Sequence, residues 1–137
     1  MVARWTGKKW TFSSVTVSDN NYDMGSLWIR EDNSWHIVAP TATGPQPYNP
    51  GGEIVHLQSK DLGNSWIKVK QLTQASIKNH TYVRRPLNTH PDFFAFWADG
   101  HGRQPSASDL YFSDINGNVY RLPREMKNNF EIPVQVN

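Results

Sequence analysis

One octapeptide, Ser59-Lys60-Asp61-Leu62-Gly63-Asn64-Ser65-Trp66, constrains the fold more than any other stretch of this chain. It lies between two runs of strand character, residues 53–58 and 66–70, in which β-branched and apolar side chains recur. Asp and Ser side chains accept hydrogen bonds from the N–H groups of a turn. Gly63 offers a positive φ with no Cβ to clash, and Trp66 opens the next strand with a large apolar anchor. The segment is expected to close an antiparallel hairpin.

The motif recurs. Ser113-Asp114-Ile115-Asn116-Gly117-Asn118-Val119-Tyr120 sets Ser113, Gly117 and Tyr120 on Ser59, Gly63 and Trp66 without a gap, with the Asp one place earlier. A third trace is Trp5-Thr6-Gly7-Lys8-Lys9-Trp10, so that Trp10, Trp66 and Tyr120 stand 56 and 54 positions apart. The Ser-x-Asp-x-Gly-x-x-Trp pattern resembles the Asp-box of sialidase-type β-propellers, the bacterial neuraminidase repeat. That resemblance implies a propeller in which each box lies on an outer hairpin, away from the substrate. A period in the low fifties suits one four-stranded blade with generous loops.

The flanking runs divide accordingly. Residues 24–31, 34–40, 52–58 and 66–72 read as the strands of one blade, and 82–86, 93–98, 109–112 and 119–122 as those of the next. The expected fold is all-β, a partial propeller of about two four-stranded antiparallel blades plus one outer strand of a preceding blade. Its divisions are 1–18 (the preceding outer strand), 19–73 (first blade), 74–123 (second blade) and 124–137 (tail), with a helical turn at most over 124–129. Closed propellers take about four to eight blades, so 137 residues are expected to be part of a longer one. Flat end faces rich in the six Trp, six Phe and five Tyr would then favour self-association.

Charge and composition exclude other classes. The net charge is +2 and the basic residues are scattered except at Lys8-Lys9 and Arg84-Arg85, which argues against nucleic acid as partner. No run approaches membrane-spanning length, and the first residues lack the apolar core of a signal peptide. The absence of cysteine removes disulfides and thiolate metal sites. No metal or cofactor is called for.

Chemistry is expected where polar residues crowd the second blade. On an extended strand His80, Tyr82 and Arg84 share one side, and the loop after 98 brings Asp99, His101 and Arg103. Arg84, its neighbour Arg85 and Arg103 suit a sugar carboxylate, which a guanidinium grips with two parallel hydrogen bonds. His80 and Tyr82 are candidate proton-transfer groups, and Tyr48, on a Pro/Gly-rich loop, suits stacking on a sugar ring. Each has a plainer reading: His80 as a turn residue, Tyr82 as packing, Arg84 as an ion-pair partner, His101 and Arg103 as loop polarity. His36 and His56, on strands, read as structural.

From Tyr82 to Pro123, the pieces Tyr82-Val83-Arg84-Arg85-Pro86, Phe96-Trp97-Ala98-Asp99-Gly100 and Leu110-Tyr111-Phe112-Ser113-Asp114 resemble neuraminidase-repeat proteins of polysaccharide-degrading bacteria. These include lyases of ulvan type, acting on uronate-containing glycans with His and Tyr as base and acid and Arg on the carboxylate. The resemblance implies His80, Tyr82 and Arg84 for those roles, a ligand groove on the face opposite the boxes, and an extracellular or periplasmic parent. Three functions stay open: part of a polysaccharide lyase or glycoside hydrolase, a non-catalytic glycan-binding propeller, and a structural fragment without a ligand.

Overall fold

The structure is a computed structural model, and it describes residues 1–18, 25–47 and 51–137. Among these the chain is all-β and contains no helix; the segment 124–129 is irregular. A hairpin of β1 (Val2–Trp5) and β2 (Trp10–Ser13) comes first. Its turn is held by Thr6, whose Oγ1 accepts the Lys9 N–H at 3.1 Å, with Gly7 at φ 88°.

Two antiparallel meanders follow. The first runs in the order β3 (Ser26–Ile29), β4 (Trp35–Ala42), β5 (Glu53–Ser59), β6 (Ile67–Gln71). The second begins with β7 (Asn79–Arg84) and proceeds through β8 (Ala95–Gly100), β9 (Leu110–Ser113) and β10 (Val119–Arg121). A fifth strand, β11 (Val134–Gln135), pairs with β10 at the outer edge of the second sheet. Two successive meanders stacked face to face make a partial propeller.

Register decides what each face carries. Trp28 stands opposite His36, and Val38 opposite His56, so these four side chains look the same way. They meet the second sheet. Trp28, Val38, Ile54 and Leu72 form one core with Val83, Phe94, Ala95, Trp97 and Val119. The Trp28 and Phe94 rings stack at 4.6 Å and 19° across the seam, an arrangement that adds ring attraction to the burial of apolar area.

Both octapeptides form the turns their composition dictates. In the first, Ser59 Oγ accepts the Gly63 N–H at 2.9 Å and donates to Asp61 Oδ1 at 2.7 Å. Asp61 in turn accepts the Ser65 N–H at 2.9 Å and the Ser65 hydroxyl at 2.6 Å. These bonds hold its carboxyl down at about 2. Gly63 has φ 82°, and a Cβ there would come within 2.9 Å of the Trp35 ring. In the second turn Asp114 accepts the Asn118 N–H at 2.8 Å and its side-chain amide at 2.6 Å. The displaced Asp has a geometric reason. The second ladder closes at Ser113 opposite Val119, the first at Gln58 opposite Ile67. The shorter loop sets its carboxylate nearer the strand, and among the described residues the buried Ser113 hydroxyl has no hydrogen-bond partner.

Candidate functional site

The start of β7 fixes the site's geometry. Asn79 is buried and binds the loop between β4 and β5: its side-chain carbonyl accepts the Gln46 N–H at 3.0 Å, and its amide donates to Gln46 O at 3.1 Å. Next along, the His80 N–H donates to Gly52 O at 2.8 Å and its carbonyl accepts the Gly52 N–H at 2.9 Å, joining the two sheets. The connection 72–78 and the loop 101–108 both emerge at this end, opposite the two octapeptide turns.

His80 is only 3 % exposed, and its partners define its proton. The Trp97 indole N–H, which can only donate, reaches His80 Nδ1 at 3.0 Å. Nε2 therefore carries the hydrogen and gives it to Ser76 Oγ at 3.0 Å. Ser76 passes its own hydroxyl hydrogen to Glu53 Oε2 at 2.8 Å. Thr73 Oγ1 and the Ser76 N–H also bond the Glu53 carboxylate. Burial lowers the His80 pKa, against the opposing pull of Glu53 and Asp99. The ring is a neutral acceptor at one nitrogen and donor at the other, spent on structural bonds.

The expected alternation of His80, Tyr82 and Arg84 fails. The β7–β8 register slips between Thr81 and Arg84, and Tyr82 takes φ 55°, a left-handed conformation that is unusual for an aromatic residue. The bulge turns His80 into the seam while Tyr82 stays 39 % exposed. Tyr82 and Arg84 remain together, with the guanidinium 5.5 Å from the ring centroid. Arg85 braces the first sheet instead: its N–H donates to Ser26 Oγ at 2.9 Å and its Nη1 to Leu27 O at 3.4 Å. His101 and Arg103 form a local turn at the other end of β7, where the Arg103 N–H donates to His101 Nδ1 at 3.1 Å. The five candidates thus fall into separate groups. Tyr48 lies outside the described residues.

What the structure does assemble is a cleft of about 780 Å³ between β6 with its following segment and the second sheet. Four cations, Lys70, Lys78, Arg121 and Arg124, line it with two carboxylates, Asp99 and Asp109, and with Tyr111. The Tyr111 hydroxyl donates to Asp99 Oδ2 at 3.0 Å, and burial followed by the Asp99 charge raises its pKa above the usual phenol range. It is a hydrogen-bonding phenol at neutral pH, not a phenolate. Arg124 grips Asp109 with Nε and Nη2, the latter at 3.0 Å, and its hydrogen bond holds that carboxyl below the ordinary value. Arg121 stands 3.9 Å from Asp109 and is about half exposed. His80 meets the Tyr111 ring edge-on at 4.9 Å on the floor, and Asn137 ties Leu72 O and Gly117 O together at 3.1 and 3.0 Å.

Guanidinium and ammonium groups can meet an anion with charge-assisted hydrogen bonds, and the phenol and carboxylates add donors and acceptors. Sequence reading singled out Asp99 but missed Tyr111, Arg121, Asp109, Arg124 and Lys78. The available signal was cross-strand: Trp97, Tyr111 and Arg121 stand opposite one another on three adjacent strands. Among the described residues no group of three or more His, Asp or Glu side chains is placed to hold a metal. Among the same residues no helix is long and apolar enough to cross a membrane.

Fold and cleft together define the class as a partial propeller with a polar, cation-rich cleft between blades. A scan against protein-family models, a search of curated proteins and a search of solved structures each found no match.

Proposed function

We propose that this chain is part of a carbohydrate-active propeller of the sialidase, neuraminidase-repeat type, and that its own contribution is to bind an acidic glycan in the cleft between its sheets. The observation that carries this reading is the excess of Lys78, Arg121, Arg124 and Lys70 over Asp99 and Asp109 around the Tyr111 phenol. A uronate carboxylate would lie against Arg121 and Lys78, with sugar hydroxyls on Tyr111 and Asp99. The parent is a polysaccharide lyase or glycoside hydrolase acting outside the cell or in the periplasm. Tyr82 and Arg84, together on the bulge, are the remaining candidates for contact with a longer glycan. Self-association through exposed sheet faces belongs to the same proposal.

The second reading, a glycan-binding propeller without catalysis, is favoured by one observation. Both His80 nitrogens are engaged, by Trp97 and Ser76, so this ring has no free position for a substrate proton.

Calorimetric titration with oligo-uronates and with neutral oligosaccharides of equal length tests the binding reading. The expected result is binding of the uronates only, weakening with salt, and a loss of roughly tenfold or more in Arg121→Ala, as for one charge-assisted bond. Equal binding of both sugars, or no effect of Arg121→Ala and Lys78→Ala together, would overturn it.

A further inference from the structure

His36, His56 and His80 are all buried, and all lie between the two sheets. The hydrogen-bond logic found at His80 applies to the other two. The Ser34 hydroxyl donates to Asp32 Oδ1 at 2.6 Å, leaving its oxygen to accept from His36 Nε2 at 2.9 Å. With the Gln58 amide turned so that its oxygen faces His36 Nε2, His36 Nδ1 is an acceptor and His56 Nε2 is the N–H that reaches it at 2.9 Å. Asp32, Ser34, His36 and His56 form one directional chain. The pair takes one extra proton at His56 Nδ1 as a buried charge. A proton on His36 Nδ1 is met when His56 Nε2 becomes the acceptor, so the pair carries one charge in either form, whereas a proton on His80 Nδ1 sets two N–H groups against each other because the Trp97 indole can only donate.

We propose that these three histidines make the seam between the sheets an acid-released junction: proton uptake puts charge on rings that the seam buries and, at His80, breaks the bond to Trp97, and the sheets part. Each ring sits where a sheet-to-sheet contact depends on it. His36 and His56 pack on Phe94 of the second sheet at 6.4 and 6.1 Å between centroids. His80 joins Trp97 and Tyr111 of the second sheet to Glu53 of the first through Ser76.

The charged and titratable groups that face them come from both sheets, and the cleft that His80 floors adds Lys70, Lys78, Arg121, Arg124 and Asp109. Around His36, Arg30 opposes and Asp32 favours a positive charge, both weaker than desolvation. His56 faces His36; Lys70, its partner in the β5–β6 register, gives its ammonium to Gly117 O. Glu53 and Asp99 favour charge on His80, again against a larger desolvation, and Tyr111 meets it as a neutral phenol. Burial thus lowers all three pKa values, that of His56 to about 4.

The sign follows. A histidine whose folded pKa is depressed contributes full stability above its unfolded pKa of about 6.5, and that contribution is lost as pH falls below it. Each of the three raises the opening constant by up to roughly tenfold per pH unit in that window. Asp32, Asp61 and Asp109 have folded pKa values below the ordinary 3.8, so their contributions fade only at more acid pH.

Urea unfolding at pH steps between about 7.5 and 4.5, a range that brackets ordinary histidine titration, gives the test. Near-UV dichroism reports Trp28 and Trp97 in the seam, and far-UV dichroism reports the strands. The expected result is a near-UV midpoint that falls below pH 6.5 ahead of the far-UV midpoint. Trp97→Phe removes the donor that opposes the His80 cation, so the His80 imidazole should titrate closer to 6.5 by NMR in that variant. Should the variant fail to fold, imidazole 15N shifts of the unaltered protein at pH 6 decide instead: neutral Nε2–H rings at His36 and His80 are required. Imidazoles that titrate near 6.5 in the folded protein would overturn the proposal. So would near-UV and far-UV signals that fall together, or a seam indifferent to pH across the range.

Discussion

A methyl group on Gly51 would lie 1.8 Å from the His80 carbonyl oxygen, and the residue has φ 78°. Only glycine fits there, because the paired Gly52–His80 bridge brings the two backbones into contact just beyond it. Gly51→Ala should therefore break that bridge and strain its own backbone, lowering stability by at least about 1–3 kcal/mol. Chemical denaturation measures it, and a variant as stable as the parent would show that the loop is not latched to β7. Such a position is invisible in the sequence: Pro50, Gly51 and Gly52 advertise a turn, but not what the backbone approaches. His80 shows the same gap. Its side was read from alternation, and the bulge after Thr81 reverses that side with no residue to announce it. Tyr82 occupies the left-handed φ with a side chain that gives no warning.

Elements were far more legible than the residues between them. β3 to β6 and β8 to β10 fall on the runs that β-branched and aromatic residues and turn residues mark out, although β5 is buried along nearly its whole length and β6 has no buried residue. β11 was not legible, because two residues after an irregular stretch carry no period; it exists by pairing with β10 and by the Asn137 contacts to Leu72 and Gly117. The octapeptides are the opposite case, since their chemistry is local. Asp61→Ala should leave the Ser65 N–H and hydroxyl without their acceptor and lower the thermal midpoint by a few degrees, without changing uronate affinity. The pH dependence gives a second check. The Asp61 carboxyl is depressed to about 2 from 3.8, so its contribution is complete above 3.8 and disappears as pH falls through 2. Asp61→Asn should lack that segment of the stability curve. An unchanged midpoint in the first variant, or an unchanged acid limb in the second, would remove the turn from the list of stabilising elements.

At the scale of the whole molecule, the two sheets carry aromatic rows on opposite sides of the second meander. One row is buried: Phe94 is 4 % exposed, stacks on Trp28 and lies against His36 and His56. The other faces outward, where Phe96, Phe112 and Tyr120 stand opposite one another on β8, β9 and β10. Phe93 and Tyr120 both lie about 5 Å from Phe112, at 4.9 and 5.0 Å between centroids. Both rows have the composition of a core, but among the described residues only the first has a second layer. The consequences of truncation should differ accordingly. Phe94→Ala removes a buried ring that stacks on Trp28 and should cost about 3–5 kcal/mol, seen as a large fall in the urea midpoint. Phe112→Ser, on the outward face, should cost far less in the monomer. Its effect should appear in light scattering instead, because a half-buried apolar row with no layer over it drives copies together: the parent associates as concentration rises into the tens of micromolar, on the order used for such surfaces, and the variant does so less. A parent that stays monomeric there, or a variant that associates equally, would separate the outward row from self-association and leave it as surface alone.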